Sequence, residues 1–171
     1  YEFYQFWFNT ADTEVVTDLK KFTFLEKDQI EALRESSEKE PHLRLAQKAL
    51  AEEMVKIVHG EKALESALNI TKALFSGNIK ELTHDELKAA VKGMPKSELE
   101  KKEYNIVDFL VESKLVQSKR QAREDVNNGA VYVNGDKVTD LEYVVEAKDR
   151  LEDGFTVLRR GKKKYLLVEY K

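Results

Sequence analysis

The chain has 171 residues, 42% hydrophobic and 36% charged, with a net charge of −3 and no cysteine. That length builds one domain or two small ones, and the lack of cysteine excludes disulfides and thiolate metal sites and fits a reducing, cytoplasmic setting. No apolar run approaches the ~20 residues that span a bilayer and no signal-peptide pattern opens the chain, so neither membrane insertion nor export is expected.

The chain begins at Tyr1 without an initiator methionine and enters at once the run YEFYQFWF, which suggests a piece of a longer protein. Phe3, Tyr4, Phe6, Trp7 and Phe8 could offer a base-stacking platform, but aromatics at helical spacing read first as core, some of it facing a domain outside this chain. Between His42 and His59, Leu43, Ala46, Leu50, Met54, Ile57 and Val58 form one buried stripe at three-and-four spacing. Pro41 suits the start of that helix and Gly60 its end. A further helix runs from Glu61 to Phe75, carrying Leu64, Ala67, Leu68 and Leu74, and stops at Gly77. Thr83 with Glu86 has capping-box spacing and opens a short helix through Val91. Residues 1–92 thus read as an all-α helical bundle with short connections.

Gly93–Glu103 is rich in Gly, Pro, Ser and mixed charge, with almost no apolar content. It reads as an exposed linker, and residues 93–104 are taken as the domain boundary. Beyond it, Ile106, Phe109, Leu110, Val111 and Leu115 predict one helix, and Ser118 with Gln121 caps another that runs to Asn128, with Gly129 free to turn left-handed. The period then becomes two. Val131 and Val133 flank Tyr132, Asn134-Gly135 signals a two-residue hairpin, and Phe155–Arg160 with Lys164–Tyr170 predict a second strand pair turning at Gly161. Residues 105–171 are therefore expected as a small α+β domain of two helices and a mostly antiparallel sheet.

The charge is unevenly placed. Residues 1–104 sum to −4 and residues 105–171 to +1, yet Phe155–Lys171 holds six cations against Glu169 alone, while Asp140–Asp153 is mostly acidic. Local fields, more than totals, decide where a polyanion docks. Lys119, Arg120 and Arg123 share one exposed face of the Ser118 helix, with Ala122 and Val126 turned inward. Cations near a helix N-terminus oppose its dipole, and a sequence that tolerates this hints at a polyanionic partner. A second cluster, Arg159, Arg160, Lys162, Lys163 and Lys164, occupies a hairpin tip and its shoulders. If the sheet packs on the two helices, both clusters frame one surface suited to a shaped, structured RNA. Any single Lys or Arg reads as solvated surface; two clusters together read as more. His42, His59 and His84 lack metal-ligand spacing, and no metal or catalytic constellation is expected.

The run SKRQAREDVNNGAVYVNG, residues 118–135, is similar to the signature of the RNA-binding domain named after ribosomal small-subunit protein four. YEFYQFWFNTAD, KKFTFLEKDQIEAL, LAQKALAEEMVKIVHGEKAL, ALFSG and RRGKKKYLLVEYK resemble, in order, successive segments of bacterial tyrosyl-tRNA synthetases. The resemblance covers essentially the whole chain. It implies a helical anticodon-binding domain over residues 1–92 and, over residues 105–171, a domain that holds the anticodon stem and long variable arm of tyrosine tRNA. The family's RNA-contacting cations fall on Arg120, Arg123, Arg159, Arg160, Lys162 and Lys163; Lys119 and Lys164 are added from position.

The family's HIGH-like and KMSKS-like ATP-binding segments have no counterpart here, and no parallel-sheet pattern exists to carry them. ATP is thus expected to serve a catalytic domain outside this chain, which needs no cofactor of its own. The family's homodimers form through that domain, so this piece is expected to be monomeric. Two rival readings stay open: a stand-alone RNA-binding or ribosome-associated module with the same small fold, and a protein-interaction bundle with an accessory sheet.

Overall fold

The computed structural model describes residues 1–151 and 154–171; Glu152 and Asp153, at the end of the acidic stretch, lie outside the described residues. The chain divides into two compact units, Tyr1–Asn69 and Ile70–Lys171.

The first unit holds α1 (Glu2–Phe8), α2 (Val15–Phe22), α3 (Lys27–Lys39), α4 (Leu45–His59) and the start of α5 (Glu61–Ser76). α4 contacts α1, α2 and α3, because it carries two buried stripes. Ala46, Leu50 and Met54 join Val15, Leu19 and Ile30 in one cluster. Ala51 and Val55 join Tyr4 and Ala67 in another. The single stripe expected from the sequence is corrected accordingly. Leu43 sits in a separate 3-10 turn, Pro41–Leu43, cut off from α4 by left-handed Arg44 (φ 52°). Leu43, Ile57 and Val58 are 46%, 42% and 53% exposed. Ile57 and Val58 fall on the buried side of α4 by phase but lie in its last turn, beyond both clusters. The aromatic opening is mostly core, as expected: Tyr4 is buried and Phe3, Trp7 and Phe8 pack around it, with only Phe6 left 69% exposed.

The second unit takes in the end of α5, α6 (His84–Val91), α7 (Ile106–Glu112) and α8 (Lys119–Asn127). Its five-stranded sheet has the order β1 (Lys96–Leu99), β7 (Lys164–Tyr170), β6 (Phe155–Arg160), β3 (Val131–Val133), β4 (Asp136–Val138). A small antiparallel pair, β2 (Tyr104–Asn105) and β5 (Val144–Val145), stands apart. The sheet is antiparallel except for β1 against β7. Phe155–Leu158 is buried at every position, the mark of a strand covered on both faces. On one face Leu158, Leu166 and Val131 meet Phe109, Leu110, Ala122 and Val126 of α7 and α8. On the other, Val157 lies with Leu74 and Ile79.

Two expectations are corrected here. The stretch read as an exposed linker, residues 93–104, contains β1, whose Lys96 to Leu99 pair with Leu167 to Tyr170. An edge strand is held by its backbone, and Lys96 adds an ion pair to Glu169 at 2.7 Å; neither leaves an apolar period to detect. The division between compact units accordingly falls within α5, because the other face of the sheet is covered by the segment that follows Ile70. The helix expected to include Leu115 ends at Glu112, and the chain turns at Lys114 (φ 64°) so that Leu115 reaches the core separately. The local turns form as expected: Asn134 (φ 48°) and Gly135 (φ 89°) make the hairpin, Gly129 (φ 65°) follows α8, and Gly161 (φ 64°) turns β6 into β7.

Candidate nucleic-acid interface

The Ser118 hydroxyl accepts from the Gln121 amide at 3.2 Å and sets the start of α8. With Ala122 and Val126 fully buried, Lys119, Arg120 and Arg123 are left on the solvent side. Lys119 pairs with Asp108 at 2.7 Å and Arg120 with Glu124 at 3.2 Å, but their side chains remain 60% and 88% exposed. Exposed pairs of this kind are worth at most about 1 kcal/mol and exchange readily for a phosphate. Arg123 has no ion pair or hydrogen bond among the described residues.

The second cluster is brought to the first by three tethers. Arg160 forks onto Asp125, with Nε 2.7 Å from one carboxylate oxygen and an outer nitrogen 3.2 Å from the other. The Gly161 amide donates to the Ala130 carbonyl at 2.7 Å, and Lys164 Nζ donates to the Leu115 carbonyl at 3.2 Å. Asp125 and Ala130 lie at the C-terminal end of α8, and Leu115 just before its N-terminus. The β6–β7 tip is thereby tied to both ends of that helix. Lys162 and Lys163, on the tip, are exposed and have no partner among the described residues.

The predicted cations therefore separate into two kinds. Lys119, Arg120, Arg123, Lys162, Lys163 and Lys164 are exposed, on α8 and on the tip tied to it. Arg160 is a tether with 26% of its side chain exposed. Arg159 lies on the opposite face of the sheet, its guanidinium 3.8 Å from the Tyr132 ring centroid and one outer nitrogen donating to the Leu74 carbonyl at 3.2 Å. Three residues were missed in the sequence. Lys114 is exposed at the turn between α7 and α8, and Lys137 lies 5.8 Å from the Tyr132 ring. Tyr165 donates to the Leu74 carbonyl at 2.6 Å. None of the three carries a motif; only the strand register and the turn conformation single them out.

An open cleft of about 620 Å³ lies elsewhere, lined by Lys88, Lys92 and Lys96 with Glu98, Glu169 and Lys171, and shares no residue with this surface. Among the described residues no group of His, Asp and Glu could hold a metal ion.

Residues 86–168 match the model of the tyrosine–tRNA ligase SYY-like C-terminal domain, and residues 1–76 match that of the class I tRNA synthetases (W and Y). Tyrosine–tRNA ligase 1 of Bacillus subtilis (strain 168) is 58% identical over the whole of this chain, and the tyrosine–tRNA ligase of Staphylococcus carnosus (strain TM300) is 54% identical over the same span. The chain belongs to the tyrosine–tRNA ligase family. It spans 41% of the length of either relative, and within the family it corresponds to the C-terminal part, without the catalytic domain. A solution structure of a tyrosyl-tRNA synthetase C-terminal domain aligns over 58% of this chain and all of its own length, at 47% identity and a TM-score of 0.46.

Proposed function

We propose that this chain is the tRNA-holding part of a tyrosine–tRNA ligase. It binds the anticodon stem and long variable arm of tyrosine tRNA and so presents the acceptor end to a catalytic domain that activates tyrosine with ATP. Phosphates are met by Lys119, Arg120, Arg123, Lys162, Lys163 and Lys164. Arg160 keeps the tip in place, and the work is charge neutralisation and shape recognition. The observation that carries this reading is the tethering of the Lys162–Lys163 tip to both ends of α8. It brings two basic clusters far apart in sequence to the same helix.

The chain acts in the cytoplasm as a monomer, and the dimer of the parent enzyme forms through the catalytic domain. No helix of the described residues is long and apolar enough to cross a membrane.

The test is the salt dependence of binding to a tyrosine tRNA transcript. The log–log slope should be about −0.7 to −0.9 per phosphate neutralised, and Arg123→Ala, Lys162→Ala and Lys163→Ala should each remove about one such increment. Slopes that stay at the wild-type value in all three would sink the assignment. The chain alone should also form no tyrosyl-adenylate; pyrophosphate exchange with ATP and tyrosine, above a boiled control, would contradict that.

A further inference from the structure

We infer that Arg159 and Tyr165 are positioning residues, which clamp the last turn of α5 onto the sheet and thereby set the shape of the RNA-binding surface; Arg159 is not itself a phosphate contact. This rests on the RNA-binding reading above and departs from what the basic run Arg159–Lys164 suggests.

The clamp closes on one atom. Leu74 is in the last turn of α5, where carbonyls have no intrahelical donor. Its oxygen accepts from the Tyr165 hydroxyl at 2.6 Å and from Arg159 at 3.2 Å. Arg159 is paired in register with Tyr165 on β7 and with Tyr132 on β3, so the three side chains form a row across one face of the sheet. The guanidinium lies on Tyr132, and its Nε is shut off from solvent without a hydrogen-bond partner. A cation at a helix C-terminus complements the dipole, and stacking on a ring satisfies its face. Of the fork, only the second outer nitrogen remains to offer a phosphate.

A second contact fixes the same junction. The Gly77 and Gly135 backbones meet so closely that a Cβ on Gly77 would come within 2.7 Å of the Gly135 carbonyl oxygen. Lys80 adds an ion pair to Asp136. The residue after Arg159 is the Arg160 tether, and Lys162 and Lys163 follow at the tip. A shift of β6 on the α5 side is therefore transmitted along one short strand to the phosphate-binding lysines.

The experiment measures binding of the full chain to a tyrosine tRNA transcript across a salt series, at a temperature where thermal melts show every variant folded. Tyr165→Phe changes no charge, and it should raise Kd about three- to tenfold with the salt slope unchanged. Arg159→Ala should do the same. Arg159→Lys keeps the charge but not the planar fork, and should behave like Arg159→Ala; Lys162→Ala, the contrast, should lower the slope. A purely structural role would move the melting midpoint and leave the Kd of folded protein as it was, and that result would overturn the inference. So would a slope lost in Arg159→Ala and restored in Arg159→Lys, or wild-type affinity in Tyr165→Phe. If the unsubstituted chain shows no salt-dependent binding, the RNA-binding reading itself fails and takes this one with it.

Discussion

Arg159 and Arg160 are neighbours on β6 and point to opposite faces of the sheet, as successive strand residues must. One therefore meets the end of α5 and the other meets α8. In the sequence they are two equal members of a basic run; what separates them is the partner already holding each. That partner is non-local in both cases: Asp125 lies on another element, and Leu74 supplies only a carbonyl, which every residue has. The exposed cations on α8 were legible because helical periodicity alone turns Ala122 and Val126 inward. Removal of the Asp125 carboxylate leaves the half-buried Arg160 fork unsatisfied, and Asp125→Ala should lower stability by about 2 kcal/mol. In urea unfolding, the Asp125→Ala/Arg160→Ala pair should cost less than the sum of the single changes; simple additivity would show that the two groups do not interact.

At the scale of elements, features set by a few adjacent residues were readable and features set by distant pairing were not. The Thr83–Glu86 capping box, with the Glu86 amide donating to the Thr83 hydroxyl at 3.3 Å, and the Asn134-Gly135 turn both declare themselves within four residues. β1 does not, because its partner β7 is far along the chain and its own sequence, Lys-Ser-Glu-Leu, has no alternation of apolar and polar positions to report. The glycines make the same distinction. Gly135 and Gly161 both have positive φ, but a Cβ on Gly161 meets nothing within 4 Å, whereas one on Gly135 would overlap the Gly77 carbonyl. Gly161→Ala should cost about 1 kcal/mol from backbone strain alone. Gly135→Ala should cost clearly more, since the α5 junction must also part. Equal melting temperatures for the two variants would contradict the close approach.

Taken whole, the molecule keeps several phenols away from water. Burial pushes the Tyr4 hydroxyl up to about 12. Burial first, and then the hydrogen bond to Asp149, holds the Tyr143 hydroxyl well above its ordinary value, and burial raises Tyr170. Unfolded tyrosines lose their proton near pH 10, so the folded state binds more protons than the unfolded one above that pH. The stability they confer is complete below about pH 10 and is lost as the pH rises towards the folded values. Denaturant midpoints should accordingly fall between pH 9.5 and 11.5, in buffers chosen at about those values, and Tyr143→Phe should flatten the decline; an identical decline in that variant would argue against the assignment. The change from helices to a mixed domain was legible from periodicity, while the division inside α5 was not, since nothing in residues 70–92 announces that they cover a sheet. That sheet has one further consequence. β7 lies between β1 and β6 in space but follows every other strand in sequence, so during synthesis β1 leaves the ribosome long before the strand that joins it to the rest of the sheet. Pairings of such long separation are slow to form, and the basic tip is shaped only when β7 slots in. A nascent chain would thus carry only the α8 half of the proposed surface until translation had passed that strand.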